Sequence, residues 1–263
     1  MDEPSCPTPT PTPAATPGLV VFASEPTFSE SARGLADKLS VAFANSFDPT
    51  TSPIALRLGA DGLVLTDGDM EMRGDLTRMI ARIKPGRLSG ELLVKASKIK
   101  GVEQPLLVDA TAGLGEDSLL LAAAGFRVWM FERDPIIAAL LEDSLRRAEE
   151  EPDLKDAVAR MRLFKRDSIT SLPSLSEQPD VVLLDPMFPG RQKSAAVKKK
   201  FQLLHHLEQP CTNERELIDA ALAANPRKIV IKRPRGGPFL AGVKPAYNLT
   251  GKAVRYDVIV IAR

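Results

Sequence analysis

From Leu106 to the C-terminus, short apolar runs alternate with stretches whose apolar positions recur every three or four residues. The runs LLVDA, RVWMFE, MRLFKRD, VVLLDP and KIVIKRP have strand length and consecutive apolar positions, the pattern of strands buried on both faces. The helical period appears in 116–124, IIAALLEDSLRRAEEE, 194–207 and 213–224. This alternation predicts an α/β fold with a doubly wound, mostly parallel sheet covered by helices on both faces. NLTGKAVRYDVIVIA holds two strand patterns with no helix between them, so it predicts a terminal hairpin that adds an antiparallel edge strand.

Upstream the pattern is less regular. Residues 1–18 are proline- and threonine-rich with little to bury, which predicts an extended tail outside the fold. Residues 19–104 read as a small α/β region. LVVFA has strand pattern, SESARGLADKLSVAFA that of an amphipathic helix with a serine cap, and IALRLGADGLVLTDG that of a hairpin. Residues 72–100 are basic, with Arg73, Arg78, Arg82, Lys84, Arg87, Lys95, Lys98 and Lys100, and Lys84-Pro85-Gly86-Arg87 puts two cations on an expected loop. That segment is either a solvated helix face with a linker or a surface that meets phosphates. The domain expected to carry the chemistry is 105–263.

Composition narrows the class. With 263 residues, 44 % of them apolar, the chain is large enough for a substantial core. A net charge of +1 excludes a polycation, so nucleic-acid contacts would have to come from local patches. Cys6 and Cys211 are too few and too isolated for a disulfide framework or a Cys-x-x-Cys metal site, and Cys211 reads as an inert thiol. No apolar run reaches the roughly 18–20 residues that span a bilayer, and the acidic N-terminus lacks a signal-peptide pattern. A cytoplasmic location is expected.

The chemistry gathers at strand ends. In Asp109-Ala-Thr-Ala-Gly113-Leu-Gly115-Glu116-Asp117 an apolar run ends in a carboxylate, and a glycine turn then opens a helix. This arrangement offers backbone N–H groups to a ligand at the carboxyl edge of a parallel sheet. Ser118 stands where a dinucleotide fingerprint has its third glycine, which favours a nucleoside-type ligand over a pyrophosphate. Glu132 ends the next run about 20 residues on, where an acidic side chain can hold a ribose diol. The loop Asp185-Pro186-Met187-Phe188-Pro189 follows four apolar residues and suits methylation of an exocyclic base amine. Such an amine is a poor nucleophile. Asp185 and the Pro186 carbonyl could accept its N–H groups while Phe188 stacks the base.

Beyond that loop, Arg191, Lys193, Lys198, Lys199 and Lys200 form either a solvated face or phosphate contacts, which Lys232, Arg233 and Arg235 would extend. Asp167, ending MRLFKRD, is either an adenine contact or a helix cap. His205 and His206 lie near no other ligand type at metal spacing, so no metal is expected.

Together DATAGLGED, FERDP, LDPMFPGRQKSAAVKKK and VIKRP resemble the bacterial small-subunit ribosomal RNA guanine-N2 methyltransferases of the RsmJ type. The resemblance runs from Leu106 to the C-terminus and extends upstream through GRLSGELLVKASKIKG. It implies a seven-stranded, Rossmann-like class I methyltransferase fold, S-adenosylmethionine as cofactor, and transfer of a methyl group to the N2 amine of a 16S ribosomal RNA guanosine. By position it also implies cofactor contacts from Glu116 and Asp117, Glu132 and Arg133, Asp167 and Ser168, and Asp185. Glu116 replaces the family's arginine and Asp167 its serine. Rival readings are methylation of adenine N6, an NAD-dependent oxidoreductase, and a non-catalytic RNA-binding module.

Overall fold

A computed structural model describes residues 18–186 and 213–262. They form a five-stranded and a seven-stranded sheet. The first contains β1 (Leu19–Ala23), β2 (Ala42–Phe43), β3 (Ile54–Gly59), β4 (Gly62–Thr66) and β5 (Glu71–Met72), in the order β2-β1-β3-β4-β5. The expected hairpin is β3–β4, antiparallel with Gly59 opposite Gly62. The helix α1 (Ser29–Leu39) is shorter than its pattern predicts. It stops where Ser40 takes a left-handed φ of 55°, and Ala42 and Phe43 pair with β1 instead. No serine caps it, because a 3-10 turn over Pro26–Phe28 feeds straight into the helix.

The basic segment is helical rather than looped. It comprises a 3-10 turn Leu76–Met79, α2 (Ile80–Ile83), α3 (Pro85–Leu88) and α4 (Leu92–Ser97). Lys84 and Arg87 therefore flank and lie within a helical turn. Several expected cations are engaged locally: Arg82 by Glu91 at 2.9 Å, Arg78 by Asp75 and Arg73 by both Asp61 and Asp75.

The second sheet holds β6 (Leu106–Asp109), β7 (Arg127–Phe131), β8 (Met161–Phe164), β9 (Val181–Leu184), β10 (Lys228–Pro234), β11 (Tyr247–Thr250) and β12 (Val254–Val260). Its order is β11-β12-β10-β9-β6-β7-β8. Strands β6 to β10 pair in parallel, and β12 runs antiparallel to both β10 and β11. The antiparallel strand is thus interior, with β11 at the edge, because β12 supplies seven residues to pair with β10 and β11 only four. The helices are α5 (Glu116–Ala123), α6 (Pro135–Glu149), α7 (Lys155–Val158), α8 (Ser168–Ser171) and α9 (Glu214–Ala223).

Consecutive strand residues divide between two cores. Leu107, Val181, Leu183 and Val230 join one cluster, while Val108, Val182, Leu184, Ile229 and Ile231 join the other. Two-sided burial explains why these runs are apolar throughout. Each fully buried aliphatic side chain contributes about 1.5–3 kcal/mol. Leu76, Met79, Leu93 and Ala96 enter the first of these clusters, and Ile136, Ala139 and Leu140 of α6 enter the core of the five-stranded sheet. Side chains from 19–104 and from 105–263 thus share these two clusters. Among the described residues no helix is long and apolar enough to cross a membrane.

Candidate active site

The strand order reverses between β6 and β9, and the crevice there opens at the carboxyl ends of the parallel strands. Two segments 74 residues apart meet in it, because the Asp185 amide donates to the Thr111 hydroxyl at 2.7 Å. The Ala110 amide donates to the Leu183 carbonyl at 3.0 Å and continues the β6–β9 pairing to the rim. Thr111 is absent from the sequence-based set. Its signal is its place just beyond β6.

Asp109 does not face the rim. It is 2 % exposed, accepting the Thr111 amide at 3.1 Å and the Ser118 hydroxyl at 2.6 Å. Its oxygens are turned inward and brace the turn against α5. Burial pushes its carboxyl up to about 6, against which the Ser118 and Thr111 hydrogen bonds work. A folded pKa above the unfolded one means that this group's contribution to stability is present below about 4 and lost as the pH rises through 6. Asp109→Asn keeps an acceptor for Thr111 and offers Ser118 a donor. The variant is therefore expected to gain on wild type by about 3 kcal/mol between pH 4 and 7. Chemical denaturation at both pH values reads the difference, and two parallel stability curves would contradict the assignment.

Two glycines shape the turn. Gly115, just before α5, has a φ of +79°, and a Cβ there would stand 2.7 Å from Leu141 Cδ1, so the position favours glycine. Gly113 has a φ of +53° with nothing within 4 Å of a would-be Cβ, leaving open space over the turn. Its amide donates to Glu132 Oε2 at 3.0 Å, and Glu132 Oε1 accepts the Asp134 amide at 2.9 Å. Glu132, only 8 % exposed, thereby joins the ends of β6 and β7. Asp134 caps α6 through the Ile136 and Ile137 amides, and burial raises its carboxyl. Glu116 and Arg133 are exposed.

Lys232, at the end of β10, does not join an outward basic patch. Its ammonium lies between Asp117 Oδ2 at 2.5 Å and Asp185 Oδ2 at 2.8 Å. Burial alone would lower the Lys232 pKa, but the two carboxylates outweigh it and hold the group well above its ordinary value. Burial raises Asp185, opposed by Lys232. Tyr256, opposite Lys232 in β12, is buried, and its phenol is pushed up to about 12 by that burial and by the nearby Asp117.

Arg233 is 1 % exposed, so it cannot contact phosphate as expected. Its Nε donates to the Pro238 carbonyl, and its guanidinium faces Glu214. Beside it the buried Arg255–Asp257 pair, 2.9 Å apart, holds the loop after β10 through the Arg235 and Gly237 carbonyls. Arg235 remains exposed. Asp167 caps α8 by accepting the Ile169 amide at 2.8 Å, with Ser168 buried next to it. The cap is thus observed, and it leaves the second carboxylate oxygen of Asp167 outside that bond. Met187, Phe188, Pro189, Arg191, Lys193, Lys198, Lys199, Lys200, His205, His206 and Cys211 lie outside the described residues.

Comparison with known proteins agrees with this architecture. The family model described as SAM-dependent methyltransferase matches residues 44–261. A Pseudomonas paraeruginosa protein named ribosomal RNA small subunit methyltransferase J is 39 % identical over 254 residues, spanning 94 % of this chain and 96 % of the relative. The protein of the same name from Thioalkalivibrio sulfidiphilus is 39 % identical over 247 residues, or 91 % and 96 % of the two chains. Among solved structures, a SAM-dependent methyltransferase from Neisseria gonorrhoeae superposes with a TM-score of 0.74 at 31 % identity, covering 92 % of this chain and 96 % of that one. Coverage this broad reaches into the N-terminal region, beyond the segment that carries the sequence motifs.

The residues present fit S-adenosylmethionine. The ligand is a nucleoside with a vicinal diol, a sulfonium and an ammonium. The rim offers open space over Gly113 and carboxylates from Asp117, Glu132 and Asp185. A carboxylate that accepts backbone N–H groups, as Glu132 does, keeps lone pairs for further donors.

Proposed function

Because the chain belongs to the ribosomal RNA small subunit methyltransferase J family of S-adenosylmethionine-dependent methyltransferases, we propose that it methylates the N2 amine of a guanosine in 16S ribosomal RNA. The observation that carries this reading is the 2.7 Å bond between Thr111 and the Asp185 amide, which brings the glycine turn and the Asp-Pro segment to one rim. The names of the relatives support the ribosomal substrate. The amine chemistry of the Asp-Pro segment supports a base nitrogen as acceptor, and guanine N2 follows from the family resemblance.

In this reading the 113–117 turn and Asp117 hold the methionine portion, Glu132 and Arg133 the ribose, and Asp167 and Ser168 the adenine edge. The bound cofactor supplies an electrophilic methyl group on a positively charged sulfur. Asp185 and the Pro186 carbonyl accept the two N–H groups of the guanine amine and hold its lone pair towards the donor side. When the nitrogen gains its fourth bond, an N–H proton becomes acidic and Asp185 Oδ is the acceptor at hand. Phe188 stacks the base, which must leave its RNA stack to reach the rim. Catalysis rests on positioning and exclusion of water, because the leaving thioether is neutral.

Residues 105–263 act as the catalytic unit and 19–104 as an accessory RNA surface through Lys84, Arg87, Lys95, Lys98 and Lys100. Arg191, Lys193, Lys198 and Lys199 add phosphate contacts next to the base. The enzyme works in the cytoplasm, where ribosomal RNA is assembled. Mass mapping of 16S ribosomal RNA from cells lacking and regaining the gene tests the assignment. One N2-methylguanosine should disappear and return. An unchanged guanosine map, or a change at adenine N6, overturns it.

A further inference from the structure

We infer that Lys232 is a positioning residue that joins the donor half of the site to the base half, sharing one ammonium between Asp117 and Asp185 so that Asp185 stays ionised and fixed. The inference rests on the methyltransferase reading of this rim and assigns a role that the motifs leave open. The ammonium lies 2.5 Å from Asp117 Oδ2 on α5 and 2.8 Å from Asp185 Oδ2 beyond β9. The distance to Asp185 is that of a charge-assisted hydrogen bond, and the contact with Asp117 is closer still. A cation held this way on two sides is not offered to an RNA phosphate.

Asp185 is then held at two points. Thr111 fixes its backbone through the amide, and Lys232 fixes its carboxylate. The first tie sets where the residue begins, and the second sets where its oxygens point and whether they carry charge.

Among the surrounding charges the lysine gives ionisation its largest support. Asp185 is met by Asp117 from α5, Asp109 from β6, Lys232 and Arg233 from β10; Tyr256 from β12 and Arg82 from α2 complete the ring around Asp117 and Lys232. Arg233 and Arg82 have carboxylate partners of their own in Glu214 and Glu91. Among the described residues Lys232 is thus the cation in direct contact with Asp185, while Asp117 and Asp109 repel the charge on it. Burial works in the same direction as that repulsion. Removing the ammonium from two neighbouring carboxylates favours the protonated acid, which can accept fewer N–H groups and take up no proton from the amine.

Carboxyl 13C NMR titration of the protein without cofactor reads the Asp185 pKa directly, the signal being assigned from its loss in Asp185→Asn. In Lys232→Gln the Asp185 pKa is expected to rise by about one unit or more, as loss of an opposite charge at contact distance does. The acidic limb of the kcat–pH profile should move upward with it. Lys232→Arg should stay close to wild type, and Asp117→Asn added to Lys232→Gln should bring the pKa part of the way back. Asp117→Asn alone leaves the ammonium to Asp185 and should lower its pKa, so the inference stays testable even if Lys232→Gln fails to fold. An Asp185 pKa unmoved by Lys232→Gln, or by Asp117→Asn alone, overturns it. The titration needs no methyl transfer. A wild-type protein that leaves ribosomal RNA unmethylated would therefore sink the proposed function separately.

Discussion

Asp185→Ala is expected to lower methyl transfer about a thousandfold while RNA affinity stays within about threefold, because misplacing a reacting group costs the rate far more than it costs binding. Asp185 lies at the strand-order reversal, its amide on Thr111 and its carboxylate on Lys232. Replacing the side chain removes the acceptor for the amine N–H and leaves Lys232 with Asp117 alone. Asp185→Asn separates two parts of the role. Its carbonyl oxygen can still accept an N–H, so a variant near tenfold down would assign most of the effect to orientation. Loss as deep as in the alanine variant would assign it to charge and proton acceptance. Single-turnover transfer with labelled cofactor and filter binding of the RNA give the two numbers. Equal loss of transfer and binding would remove Asp185 from the reacting centre.

Glu132→Ala should damage both stability and cofactor binding. Its two oxygens accept the Gly113 and Asp134 amides at 3.0 and 2.9 Å in a place where little water reaches. Leaving buried N–H groups unpaired costs about 1–3 kcal/mol each. For a domain of this size that corresponds to a melting temperature lower by on the order of 10 °C. The Gly113 turn also loses its anchor to β7, so binding of S-adenosylhomocysteine, measured by calorimetry, should weaken by at least about tenfold. Glu132→Gln retains one acceptor oxygen and should fall between the two. A variant that melts with wild type would show that the turn holds its shape without Glu132.

Much of this was legible in the chain. The segments LLV, VWMF, VVLL and IVI are apolar because both faces are covered, and each lies in a strand. Gly115 was legible because a tight turn just before a helix calls for a residue free to adopt a positive φ, as it does. Other features misled. SVAFA continues the helical period of α1, yet Ala42 and Phe43 are taken into a strand by β1, a partner about twenty residues upstream that overrides a weak local preference. Asp109 and Asp185 look alike in sequence, each a carboxylate closing an apolar run. One is turned inward to Thr111 and Ser118, the other towards Lys232 at the rim. Arg233 reads as part of a basic cluster, yet its neighbour Lys232 points into the site while Arg233 points into the fold.

From Leu106 onward the sequence by itself determined which segments are strands, where the turn before α5 needs glycine, and that acidic residues close several of the strands. Periodicity and backbone strain are properties of a few neighbouring residues, so they can be read without knowing the fold. Tertiary structure decided the rest. It placed β12 between β10 and β11, joined Thr111 to Asp185 across 74 residues and set Lys232 against Asp117 across 115. Whether a carboxylate is a brace or a reacting group depends on which partners the strand order brings to it and how far water is excluded, and neither is written in its immediate neighbours.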